Sequence, residues 1–171
     1  MKITLESLGT VAGQTMEELR GRVGGVFHCP TEIKPGFSDL AWAYNPERKQ
    51  YLSSELLGSL QKSAEDERLV GITEVDLYVP RLNFVFGEAD VLSGTAIVSL
   101  YRLKQEYYGL ASDEALFLER ATKEVVHELG HTFGLGHCPN SKCVMHFSNS
   151  LADTDFKGAN FCSRCRPRII L

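Results

Sequence analysis

The chain has 171 residues, a length that suits one domain, and its 43% hydrophobic content is enough to build a core. The formal net charge is −4 and the basic residues form no long run, which excludes the charge pattern typical of nucleic-acid-binding proteins. No stretch is long and apolar enough to cross a bilayer, and the first residues alternate instead of forming a signal-peptide core.

Strand and helix patterns alternate along the first part of the chain. Strands are indicated where apolar and polar residues alternate or where β-branched residues form an apolar run, and helices where leucine recurs at helical spacing. In chain order we predict a strand at 1–8, a helix at 15–22, a strand at 26–33, a helix at 53–63, and strands at 69–79, 83–86 and 95–101. This alternation favours an α/β lobe, with the short 83–86 strand at an edge of the sheet.

A longer helix with clear start and stop signals follows. Ser112 can cap it, two acidic residues fill its first turn, and Gly134 can end it. Beyond Gly134 the chain is rich in loops and cysteines, with one further short helix expected from Ser163 onward. The long helix should pack against the sheet, because it has an apolar stripe at Leu118, Ala121, Val125 and Leu129.

Three histidines and a glutamate lie at the end of this helix, in the segment HELGHTFGLGH. His127 and His131 are about 40° apart on one helical face, a spacing that lets two imidazole nitrogens reach one zinc ion at about 2.0–2.1 Å. Glu128 lies beside them and can reach a water on the metal without becoming a ligand. A left-handed Gly134 can reverse the chain and return His137 as a third ligand. The alternative, core or surface histidines without a metal, does not account for this spacing.

The cysteines suggest a second metal site. Four of the five lie in the last part of the chain and form a C-x4-C pair and a C-x2-C pair. Two such pairs separated by a loop indicate a structural zinc with four thiolate ligands, and metal binding would then stabilise a small C-terminal lobe. Reduced free thiols, a redox pair, an iron–sulfur centre or a single iron are the alternatives. The proposed ligands are Cys138, Cys143, Cys162 and Cys165.

The histidine segment resembles the extended HExxHxxGxxH pattern of the metzincin zinc peptidases. Those enzymes also carry a methionine in a tight turn beneath the metal, and Met145 stands at a fitting distance along the chain. The flanking cysteines narrow the match, since HC-x4-C-x-M followed by FC-x-x-C is similar to the archaemetzincins. The motif covers residues 125–165, about a quarter of the chain, and the segment NFVFGEA and the chain length also fit.

The resemblance implies an α/β (α+β) metzincin-like zincin fold. It would comprise a twisted mixed sheet, a backing helix, an active-site helix and a small zinc-stabilised C-terminal lobe. The single domain 1–171 would thus divide at residue 134 into an N-terminal lobe and a C-terminal lobe, 135–171. One departure is that Phe147 stands where several metzincin branches have tyrosine. The edge strand of Asn83, Phe84, Val85 and Phe86 would line the cleft and pair with an extended peptide.

The function that we predict is hydrolysis of peptide bonds by a water on the three-histidine zinc, activated by Glu128 as general base. Two zinc ions per chain are expected, one catalytic and one structural. The partner would be a peptide or protein substrate, without nucleic acid or membrane, and the protein a cytoplasmic monomer. Two alternatives stay open: an aminopeptidase restricted to short peptides, and a zinc-containing peptide-binding protein with little turnover.

Overall fold

The computed structural model describes residues 1–170 as a mixed α/β protein. No helix in this part of the chain is both long and apolar enough to span a membrane. The helices are α1 (Gly13–Phe27), α2 (Ser53–Ser59), α3 (Glu114–Thr132) and α4 (Leu151–Phe156). The strands are β1 (Lys2–Leu8), β2 (Thr31–Pro35), β3 (Tyr44–Asn45), β4 (Gln50–Leu52), β5 (Glu67–Thr73), β6 (Leu77–Tyr78), β7 (Gly87–Asp90) and β8 (Thr95–Ser99).

The main sheet has five strands in the order β2-β1-β5-β8-β7. All neighbours are parallel except β7, which runs antiparallel to β8 at the edge. Helices α1 and α3 pack on one face and contribute to the larger apolar core, whereas α2 covers the other face. The sheet is therefore the mixed sheet that was predicted, with α1 as the backing helix beside α3.

The larger core also takes in the C-terminal part of the chain. Val144, Met145 and Ile169 are buried in the same apolar cluster as the inner faces of β1, β5 and β8. Three cysteines of the C-terminal pairs are buried there too. The segment that follows α3 is thus packed against the helix and the sheet rather than projecting from them.

Two predicted strands have different bounds in the structure. The predicted 26–33 strand begins only at Thr31, because α1 continues past Gly24 to bury Phe27, whose ring packs on Phe133 and Phe161. The predicted 69–79 strand is split into β5 and β6. The break is at Asp76, whose carboxylate accepts hydrogen bonds from Arg102. After this residue, β6 belongs to a second, three-stranded sheet of order β3-β4-β6.

The predicted edge strand of Asn83, Phe84, Val85 and Phe86 is wrong. Val85 forms a single bridge to Leu77, and regular pairing begins only at Gly87. The carbonyl of Asn83 instead accepts hydrogen bonds from the side chains of Arg48 and Gln50, so it makes no strand ladder. The edge strand of the main sheet is β7, directly after this segment.

The C-terminal region contains a helix, α4, that the sequence pattern did not predict. Ser150 and Asp153 form a reciprocal capping box at the start of α4. The Ser-x-x-Asp spacing in the sequence is typical of such a capping box and could have predicted the helix start. The short helix expected from Ser163 is reduced to one 3₁₀ turn, Arg166–Arg168.

Candidate active site

Helix α3 positions the first two histidines and the glutamate. Its N-cap is Asp113 rather than the predicted Ser112, since the Asp113 side chain accepts a hydrogen bond of 3.0 Å from the backbone N–H of Leu116. Its second half is buried on both sides, by the sheet and by the segment after the helix. His127 and Glu128 are therefore fixed by packing along the helix rather than carried on a mobile loop.

The end of α3 brings in the third histidine. Gly134 has a φ of +77°, and its backbone N–H donates to the His131 carbonyl at 2.8 Å, so the chain reverses as the sequence predicted. The His137 ring then lies 5.0 Å from the His131 ring and 5.3 Å from the His127 ring, measured between centroids. One ligand nitrogen from each of these three residues lies within 4.8 Å of the others.

Hydrogen bonds to backbone carbonyls decide which imidazole nitrogens are free. The Nδ1 atom of His127 lies 2.8 Å from the Val144 carbonyl, and that of His131 lies 2.7 Å from the Leu135 carbonyl. Carbonyl oxygens only accept hydrogen bonds, so both Nδ1 atoms carry the proton. Burial also lowers the pKa of both imidazoles and favours their neutral form.

The two free nitrogens therefore face each other as lone pairs. The Nε2 atoms of His127 and His131 are 3.1 Å apart, a distance at which two acceptors repel unless a cation lies between them. Two nitrogens at 2.0–2.1 Å from a tetrahedral zinc would be about 3.3 Å apart. The three histidines thus fit a zinc ion, and the exposed side of His137 leaves access for a substrate.

Glu128 lies in the same cleft and is 7% exposed. Burial, with the nearby Glu124 carboxylate, raises the pKa of Glu128 to about 8. A cation at the histidines would favour the ionised carboxylate that a general base requires. The Glu128 side chain packs directly on Gly87, where a Cβ atom would come within 2.6 Å of the Glu128 Cγ.

Met145 packs against α3 with no exposed surface, and its place beneath a bound metal, which the resemblance implies, stays a prediction. Its backbone carbonyl accepts a hydrogen bond of 2.8 Å from Cys138, which joins the methionine turn to the residue after His137. The helix approaches the methionine closely at Gly130, where a Cβ atom would lie 2.3 Å from the Met145 sulfur. The close packing of α3 on Met145 therefore requires glycine at position 130, which lies between Glu128 and His131 of the histidine motif.

We expect Gly130→Ala to destabilise the protein although alanine is the better helix former. The added methyl group has no room, because Met145 lies on one side and Phe161 is 3.1 Å away on the other. Overpacking of this kind costs roughly 1–3 kcal/mol in the free energy of unfolding, measurable by urea denaturation. Gly136→Ala is the control, since its Cβ atom meets nothing within 4 Å in the described part of the chain. Equal stability of the two variants would contradict this account of the packing.

The four C-terminal cysteines form a second cluster. Their sulfur atoms all lie within 4.8 Å of one another, and none of the chain's five cysteines is in a disulfide. The Cys138 and Cys162 sulfurs are 3.8 Å apart, which matches the roughly 3.8 Å between thiolates in a tetrahedral zinc site with 2.3 Å bonds. The backbone N–H of Cys165 is the main cause that lowers the pKa of the Cys162 thiol, to about 6. The set fits a metal with four thiolate ligands.

A cleft of about 640 Å³ opens over the histidines. The segment Asn83, Phe84, Val85 and Phe86 lines it together with Gly87, although the segment is not a strand. Phe147, at the position where other branches have tyrosine, packs its ring 4.9 Å from the His137 ring. The cleft therefore combines the histidine face of α3 with walls that mix apolar and polar side chains.

Two charged residues of this region were missed from the sequence. Glu124 lines the cleft one helical turn before Glu128, and the i, i+4 spacing was a signal for it. Lys157 is fully buried and lies 3.0 Å from Glu124. Its position in a polar C-terminal stretch gave no indication of burial.

Comparisons with known proteins agree with this geometry. The model of peptidase family M54 matches residues 15–170. An archaemetzincin from Methanocaldococcus jannaschii is 40% identical over 99% of this chain and 93% of its own length. The crystal structure of an archaemetzincin from Archaeoglobus fulgidus, complexed with malonate, superposes with a TM-score of 0.85 at 37% identity, covering 98% of this chain and 99% of that one. A zinc-dependent peptidase from Methanocorpusculum labreanum gives a TM-score of 0.89 at 29% identity, covering 98% and 100%.

The fold, the histidine cluster and these matches define the class of the protein, which is a zinc-dependent metallopeptidase. Within that class, the chain belongs to peptidase family M54, the archaemetzincins.

Proposed function

We propose that His127, His131 and His137 hold a catalytic zinc and that Glu128 is the general base for hydrolysis of peptide bonds. The observation that supports this most strongly is the 3.1 Å approach of two unprotonated imidazole nitrogens, which calls for a cation between them. Glu128 follows His127 in the chain and shares the cleft with all three imidazoles. A peptidase of this family acts on peptides or proteins, and the apolar cleft suits an extended chain.

The chemistry divides between the metal and the protein. When bound, zinc supplies a Lewis acid that polarises a carbonyl and makes a nearby water more acidic. The Glu128 carboxylate accepts the proton of the attacking water and delivers it to the nitrogen of the departing amine. The hydrogen bonds from His127 to Val144 and from His131 to Leu135 keep the imidazoles in one tautomer and orientation throughout.

Strand β7 is the proposed guide for the substrate backbone. It pairs with β8 on one side and with no strand on its other side within residues 1–170. Gly87 and Ala89 of β7 line the cleft beside Glu128. An extended peptide can add to this free edge as a further strand, which would present a carbonyl group to the site.

We also propose that a second zinc binds Cys138, Cys143, Cys162 and Cys165 and has a structural role. Four thiolates fill a tetrahedral coordination sphere, so no position is left for substrate. The described residues after α3, 135–170, would then form a small lobe whose folding depends on that metal.

Removal and return of zinc tests the proposed function. We expect the zinc-loaded chain to cleave members of an amino-terminally acetylated peptide mixture, the chelated chain to lose that cleavage, and added zinc to restore it. Mass spectrometry of the products locates the cut bonds. Cleavage only of peptides with a free amino terminus would instead support an aminopeptidase. Binding of peptides without any turnover would overturn the proposal in favour of a peptide-binding protein.

A further inference from the structure

The cleft contains a second carboxylate for which the hydrolytic mechanism has no use. Glu124 lies one helical turn before Glu128 on α3, so both side chains are on the same face of the helix. Glu124 is only 3% exposed, yet it belongs to the wall of the cleft. A buried carboxylate that reaches a binding cleft is costly to keep unless its charge is used or balanced.

Only one of the two Glu124 carboxylate oxygens has a hydrogen-bond or ion-pair partner among the described residues. Oε1 accepts a hydrogen bond of 3.1 Å from the Thr154 hydroxyl and lies 3.0 Å from the Lys157 ammonium group. Among residues 1–170, no hydrogen bond reaches the other oxygen, Oε2. Both partners come from the C-terminal segment, so they hold the carboxylate from behind and leave Oε2 to the cleft.

Lys157 balances the charge without blocking the site. Its side chain has no exposed surface, so a ligand in the cleft would meet the Glu124 carboxylate and not the lysine ammonium group. The walls of the cleft also carry apolar side chains, among them Phe84 and Phe86, which contact each other edge to face. Apolar side chains beside a fixed carboxylate that is separate from Glu128 suit a group that has a hydrocarbon stem and a cationic end.

We infer that Glu124 Oε2 binds a positively charged nitrogen of the substrate and thereby selects peptides that carry an ammonium or guanidinium group near the cleaved bond. This inference rests on the proposed function and assigns a specificity to the same cleft. The cation would come from a lysine or arginine side chain or from the free amino terminus of the peptide. A charge-assisted hydrogen bond to a carboxylate makes such a peptide bind about tenfold to hundredfold more tightly than a neutral analogue.

Binding to the zinc-loaded Glu128→Gln variant tests this without turnover. The probes are octapeptides that carry lysine, ε-acetyl-lysine, norleucine or glutamate at one scanned position, each with a free or an acetylated amino terminus. If a side chain supplies the cation, calorimetry should show that, at one scanned position, the lysine peptide binds more tightly than the norleucine and ε-acetyl-lysine peptides. A preference for free over acetylated termini, whatever the scanned residue, would identify the amino terminus instead. Equal affinity across both comparisons would overturn the inference.

Variants then connect the preference to Glu124. Glu124→Gln alone leaves Lys157 as an unpaired buried charge, so the double variant Glu124→Gln, Lys157→Met removes both charges together. In this double variant we expect the cationic peptide to lose its advantage while the norleucine peptide keeps its affinity. Glu114→Gln, at the exposed start of the same helix, is the control and should keep the preference. A preference that survives in the double variant would refute the role of Glu124.

Two different results separate the specificity of Glu124 from the peptidase function. If the native enzyme cleaves peptides without regard to charge, only the specificity of Glu124 is wrong. If no peptide is bound or cleaved by the zinc-loaded chain, the proposed function itself is wrong, and the inference with it.

Discussion

Glu128→Gln is expected to keep zinc at the histidines and to lose peptide cleavage by about 10²- to 10⁴-fold, which is the usual contribution of a positioned general base. Glutamine has nearly the same shape as glutamate, which matters here because the Glu128 side chain packs tightly on the backbone at Gly87. An alanine would remove this packing as well as the base. The measurement is the cleavage rate of a peptide identified with the parent enzyme, together with the zinc content of the purified variant.

The control for this prediction is Glu114→Gln on the same helix. Glu114 lies in the first turn of α3, exposed and away from the cleft over the histidines. Its replacement removes the same charge from the chain and should leave the cleavage rate nearly unchanged. Parent-like cleavage by Glu128→Gln would show that another group accepts the proton, and loss of its zinc would show that Glu128 supports the metal instead.

The fold was predictable where the burial pattern is simple. β1 and β8 follow an alternating pattern and a continuous apolar run, and both were placed nearly correctly. The errors arose where side chains from elsewhere in the fold satisfy the backbone. Asn83 reads as the start of a strand, but Arg48 and Gln50, distant in sequence, bind its carbonyl and prevent strand pairing. Such tertiary contacts are not visible in local patterns.

The grouping of the three histidines was predictable from the sequence, but the contacts that orient them were not. The spacing of His127 and His131, with the turn at Gly134, determines how three imidazoles converge, and the structure brings them together. The catalytic role of Glu128 stays a prediction. The carbonyl acceptors that orient the imidazoles are backbone atoms, which any residue could supply, so the sequence carries no signal for them. Likewise, Lys157 becomes a buried partner of Glu124 only because the C-terminal segment folds back on α3.

Cys162→Ser, Cys165→Ser is expected to remove one zinc ion per chain and to disorder the C-terminal lobe. Structural zinc sites contribute about 10–16 kcal/mol of apparent binding free energy, which is comparable to the whole stability of a typical domain. The Cys138 carbonyl lies 2.9 Å from the Nδ1 atom of His146, and the Cys138 N–H donates to Met145. Loss of the cysteine site should therefore loosen the methionine turn and weaken zinc binding by the neighbouring His137. Zinc stoichiometry, zinc affinity and limited proteolysis of residues after α3 measure these effects.

Cys29→Ser provides the matched control, because Cys29 is the one cysteine outside the four-thiol cluster. This variant should keep both zinc ions and the proteolysis pattern of the parent. The decisive comparison is the zinc affinity of the histidine site in the double variant. His137 and Cys138 are adjacent. If they bind separate metals, the metal on one residue also limits the backbone motion of the other and so favours binding of the second metal. An unchanged affinity at the histidines after loss of the cysteine site would show that the turn at Gly134 and the packing of Met145 are enough to hold His137 in place.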